Sequence, residues 1–95
     1  MSMPFIASVL DTMGPGLANI DVGCQILTNA IAPEIGMGAP ADAMERVTRM
    51  FKTILTAFQA RTSDRKSVED LIYRIFCLAA QRRFDDLAGL AIPSL

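Results

Sequence analysis

The 95-residue chain has no histidine, no tryptophan, one tyrosine and two cysteines. Without histidine there is no imidazole to act as a base near neutral pH and no imidazole metal ligand. Cys24 and Cys77 lie far apart in the chain and in no CxxC pattern, so the spacing of zinc and dithiol motifs is absent. Both are expected to be small buried hydrophobes in a reducing compartment. Neither has a histidine to take its proton, which removes the usual route to a nucleophilic thiol. Long apolar runs are missing too. The longest are interrupted by Asp21, Gln25 and Asn29, and none approaches the ~20 residues needed to span a bilayer. The opening stretch MSMPFIASVLDTM carries no Lys or Arg, unlike the start of a secretory signal. The expected location is therefore cytoplasmic, with export without a cleaved signal as the alternative.

Cations are also absent from the first half. Residues 1–45 contain Asp11, Asp21, Glu34, Asp42 and Glu45 and no Lys or Arg. All nine basic residues fall between 46 and 83, where they meet Asp64, Glu69 and Asp70, and Asp85 and Asp86 follow. The net charge is only −1, which gives no global attraction to nucleic acid or an acidic membrane surface.

What the chain has in quantity is apolar side chain, at 52% of residues, above the usual 45–50% or so. Its length sets one domain, residues 1–95, and a chain this short buries only about 60–65% of the surface its unfolded form exposes. The surplus is expected to meet a partner.

The periodicity is helical throughout. Residues 4–13 place Phe5, Ile6, Val9, Leu10 and Met13 on one side, with Pro4 in the first turn. Residues 17–32 carry one seam of Leu17, Ile20, Cys24, Leu27 and Ile31 and another of Val22, Ile26 and Ala30, so this helix is expected to be covered over most of its circumference. Pro33 is expected to stop it, and 33–40 to form a loop. Residues 42–61 have Asp42 and Glu45 in the pattern of a capped start and a core seam of Met44, Val47, Phe51, Ile54 and Phe58, edged by Met50 and Leu55. Asp42–Arg46 and Glu45–Arg49 are acid-first pairs four residues apart. Ser67 is the better cap for the next helix, because a start at Ser63 would put Arg65 and Lys66 against the helix dipole. From Ser67 to Ala88 there is no Gly or Pro, which predicts one helix of about 20 residues, roughly 30 Å long. A break near Arg83 is the alternative. The fold class is all-α, a small bundle of three main helices plus a short N-terminal one.

The last long helix has two apolar stripes. Val68, Leu71, Ile72, Ile75 and Ala79, flanked by Phe76, form the main one, and Tyr73, Cys77, Ala80, Phe84 and Leu87 form the other, at spacings of 4, 3, 4 and 3. That is the spacing of helix-on-helix packing. The N-terminal helix is one candidate cover for the second stripe and another chain is the other. The partner reading takes these five residues as the contact surface, with Phe84 as anchor, since large aromatics often carry interface energy.

Other motifs are weaker. MGPGLAN at 13–19 has two glycines in the pattern of a dinucleotide fingerprint, but Asn19 stands where the third is needed and no second strand follows. A turn is the expectation there. Arg61, Arg65 and Lys66 flank a helix start and are the best candidate anion contact. Adjacent Asp85 and Asp86 diverge on a helix and make a poor acid–base pair. The expectation is a non-enzymatic module without metal or cofactor, which binds a protein partner or itself: an adaptor, small chaperone or assembly subunit. A nucleic-acid-binding helical domain using the three cations, and an exported structural subunit, are the alternatives.

Overall fold

A computed structural model describes residues 2–13, 18–60, 64–90 and 92. They form α1 (Met3–Met13), α2 (Ala18–Ile35), α3 (Ala43–Ala60), α4 (Arg65–Ala80) and α5 (Phe84–Ala88), with no strand among them. The all-α reading holds, with one short helix more than the main expectation. The turn expected at Gly14-Pro15-Gly16 and the cation Arg61 lie outside the described residues.

The helices gather around one cluster of buried side chains to which all five contribute. α2 packs along α3, α1 sits on α2 and α4, and α4 touches α2, α3 and α5. In α3 most of the expected seam is the core seam: Val47, Phe51, Ile54 and Leu55 are fully buried and Met50 and Phe58 nearly so, while Met44 is half-buried at its edge. In α4, Val68, Ile72, Ile75, Phe76 and Ala79 point inward as their spacing required, and Leu71 of the same stripe is half-buried. The Phe51 and Phe76 rings stack with centroids 5.7 Å apart and an interplanar angle of 27°, joining α3 to α4. At Gly23 the absence of a Cβ lets α1 come close, since a Cβ there would lie 2.5 Å from Met13 Sδ.

The apolar surplus is smaller than composition implied. Among the described residues only Val22, Met37 and Tyr73 are large apolar side chains left exposed. Most of the remainder goes into the chain's own core. No helix among the described residues is long and apolar enough to cross a membrane. Both cysteines are free; Cys24 is buried, with Sγ 3.8 Å from the Thr48 carbonyl.

Three helix ends differ from the sequence expectation. Pro33 lies inside α2 instead of stopping it. Its missing N–H leaves the Asn29 carbonyl without its helical donor, but Asn29 is exposed and water can serve that carbonyl. Continuing to Ile35 buries another apolar residue in line with Leu27 and Ile31. Gly36 and Gly38, at φ +38° and +89°, then turn the chain away in a region that strains residues with a Cβ.

α4 begins at Arg65 and not at Ser67. The dipole argument against cations in the first turn is outweighed by a partner far away in sequence. Arg65 Nη1 lies 2.7 Å from Asp11 Oδ1 of α1, Nη2 donates to the Ala7 carbonyl at 2.8 Å, and Nε reaches Glu69 at 3.3 Å. The hydrogen bond that the guanidinium donates to the Asp11 carboxylate is the main reason its pKa is held above the ordinary value. Asp42 precedes the first residue of α3, but its carboxylate takes Arg46 at 2.6 Å. The Glu45–Arg49 pair is not formed within ion-pair distance among the described residues.

The long last helix is broken. α4 stops at Ala80, and α5 starts at Phe84. Arg82 takes φ +55°, the left-handed conformation usually left to glycine. The Arg82 N–H donates to the Ala79 carbonyl at 3.0 Å and the Arg83 N–H to the Leu78 carbonyl at 2.9 Å. These are the two bonds of a Schellman ending, in which the left-handed residue satisfies the last carbonyls of the helix. The Arg82 guanidinium is held on both sides: Nη2 donates to the Met37 carbonyl at 2.8 Å, and Cζ sits 5.0 Å from the centre of the Phe84 ring.

Arg65→Ala should lower stability by about 1–2 kcal/mol. A charged hydrogen bond contributes about 1.5–3 kcal/mol, reduced here because the side chain is 39% exposed. Lys66→Ala removes only the exposed pair to Asp70 and should cost no more than about 0.5 kcal/mol. Urea midpoints for the two variants measure the contrast, and equal midpoints would remove Arg65 as the tie between α1 and α4.

Candidate docking face between two helices

α4 presents more than one apolar face because Tyr73, Cys77 and Ala80 recur at helical spacing beside the core seam. Tyr73 is 38% exposed, Ala80 is exposed and Cys77 half-buried. α1, the intrachain candidate for covering them, packs near the start of α4 through Arg65 and leaves them open.

α2 supplies the neighbouring wall. Its second seam, Val22, Ile26 and Ala30, is not covered as the sequence suggested: Val22 is 51% exposed and the other two are half-buried. Every fourth residue falls on one line of a helix, and the next on this line is Glu34. Glu34 meets α4 in a groove of about 110 Å³ lined by Tyr73, Phe76, Cys77 and Ala80. The α2 stripe therefore leads into the α4 stripe, and a single carboxylate stands where they join.

The five-residue stripe read from sequence is thus divided. Tyr73, Cys77 and Ala80 are together on α4, whereas Phe84 and Leu87 belong to α5. Leu87 is 1% exposed and part of the chain's own core, so it is removed from the contact surface. Phe84 is half-buried, packed on the core and under Arg82. It is corrected from anchor of an open stripe to a residue largely used within the chain. The break at Arg82 rotates both out of line.

Two of the three cations of the anion candidate have carboxylate partners. Arg65 is committed to Asp11, Glu69 and the Ala7 carbonyl, and Lys66 pairs with Asp70 at 3.1 Å. Both of these cations therefore have acid partners, Lys66 in an exposed pair, and Arg61 is outside the described residues. Arg83 likewise pairs with Asp86 at 2.7 Å.

Glu34, which lines the groove, and Met37, three residues further along the chain, were not singled out by sequence. Glu34 continues the 22, 26, 30 repeat, a signal hidden by reading Pro33 as the end of the helix. Met37 is 96% exposed between Gly36 and Gly38, and its mark in the sequence is a large apolar residue inside a glycine turn. Arg82 holds its carbonyl. Comparison with known protein families, with curated proteins and with solved structures gave no match to this chain.

Proposed function

We propose that the chain is a non-enzymatic helical interaction module that takes an apolar protein surface onto the face shared by α2 and α4. The observation that carries this reading is the open groove between Glu34 and the Tyr73–Cys77–Ala80 stripe, which continues into the half-exposed Val22, Ile26 and Ala30 line. Burying such side chains is worth roughly 25 cal/mol per Å² of apolar area removed from water. Aromatic side chains such as Tyr73 are enriched in protein interfaces. The groove's lining offers one carboxylate and one thiol, and a docking role uses its apolar walls instead of reactive groups.

A photo-reactive amino acid in place of Arg74 tests the reading. Arg74 is exposed and one position from Tyr73, so the probe borders the groove without filling it. Irradiation in native lysate should give a covalent protein adduct, several-fold more abundant than with the same probe in place of Lys52, exposed on α3. Equal capture from the two positions would reject the face as a docking site.

A further inference from the structure

The occupant of the groove is narrowed by what stands next to it. This step rests on the docking reading above. Met37 projects into solvent at 96% exposure, only three positions beyond Glu34 at the groove's edge. The Met37 carbonyl is also held by Arg82, two residues beyond the groove-lining Ala80, so the projection is tied to both walls of the recess through short lengths of chain. The recess, about 110 Å³, compares with a cavity of roughly 150 Å³ that accommodates a benzene-sized molecule. The four heavy atoms of a methionine side chain suit it. Its aromatic lining, Tyr73 and Phe76, suits a thioether, which makes favourable contacts with rings.

Charge follows the same division. Arg82 accompanies the projection, tied to the Met37 carbonyl, and Glu34 belongs to the recess. Among the described residues neither has an ion-pair partner. A surface with a positively flanked knob beside a negatively flanked hole is complementary to itself under a two-fold rotation, the commonest symmetry of homodimers.

We infer that the groove receives a second copy of this chain, in a two-fold dimer where Met37 of each protomer enters the other's groove and Arg82 of each meets the other's Glu34. The electrostatic part fixes orientation more than affinity, and the apolar insertion supplies most of the attraction.

Charge reversal in trans tests the arrangement on the 95-residue chain by sedimentation velocity. E34R alone would face like charge at both symmetric contacts, and so would R82E alone. Each should self-associate about tenfold or more weakly than the unaltered chain. Mixed together, the two variants regain both opposite-charge pairs and should form a heterodimer. R82E also removes the bond to the Met37 carbonyl, so circular dichroism accompanies each sample. Met37→Asp gives an independent readout, because a side chain 96% exposed is not needed for folding. It should keep wild-type helicity and lose the dimer by about tenfold or more. An unaltered chain that stays monomeric up to about 1 mM overturns the inference, as does a dimer insensitive to Met37→Asp or E34R and R82E chains that do not pair. Capture of a different protein by the position-74 probe alongside a monomeric chain would overturn the second-copy occupant alone. Failure of that probe to discriminate positions would overturn the docking reading.

Discussion

Phe51→Ala should reduce the unfolding free energy by about 3–5 kcal/mol, the usual range for removing a buried phenylalanine. The ring is fully buried and stacked on Phe76 at 5.7 Å, so its removal leaves a cavity between α3 and α4. The loss has two parts, the transfer of apolar atoms from water and the contacts forfeited by the walls of the cavity. Phe76, on α4, loses its stacking partner at the same time. A domain of this kind has a total stability of about 5–15 kcal/mol, so this one change removes a large share of it. Chemical denaturation followed by circular dichroism reads the effect as a lower midpoint with a similar slope. An unchanged midpoint would contradict the phase of α3.

The phase of α3 could be read directly because its two sides are chemically distinct. Val47, Phe51, Ile54 and Phe58 follow one another at helical spacing, while Arg49, Lys52, Thr53 and Thr56 face solvent. Helix ends were harder because their decisive partners are remote. Arg65 in the first turn of α4 looks unfavourable until Asp11 and the Ala7 carbonyl of α1 are placed beside it. Pro33 looks like a stop until Ile35 is found buried. The break after Ala80 has no glycine or proline to announce it. An arginine adopts the left-handed conformation, at a cost of about 1–2 kcal/mol, and its guanidinium is engaged by Met37 and Phe84.

The candidate site follows the same pattern. The α4 residues Tyr73, Cys77 and Ala80 were visible as a stripe, and so was the α2 line of Val22, Ile26 and Ala30. Their junction at Glu34 was not, because periodicity locates residues around one helix and says nothing about which helices are neighbours. Phe84 and Leu87 had the right spacing only for a helix that did not break. A one-dimensional pattern continues through a change of direction, and the side chains do not.

Leu87→Asp should cost about 3–5 kcal/mol, with much of the loss local. The side chain is 1% exposed, and a carboxylate left there without a partner would cost several kcal/mol. The chain has a cheaper response. α5 has only five residues, and Leu87 is its one buried side chain. Releasing α5 forfeits Leu87's burial, about 1.5–3 kcal/mol, together with the partial burial of Phe84, and hydrates the charge. Ile75 has no such escape, since it is fully buried in the sixteen-residue α4, whose neighbours include α2 and α3. The variant should therefore retain the other helices while amides 84–90 exchange rapidly with solvent and those of α3 stay protected, a local opening in place of global unfolding. The corresponding change at half-buried Phe84 should open α5 less, because its ring already lies partly in solvent and an acid there has water within reach. Hydrogen exchange resolved by residue separates these outcomes. Unchanged protection of α5 in Leu87→Asp would mean that Leu87 does not hold the helix to the core, and would return it to the exposed stripe that spacing alone assigned.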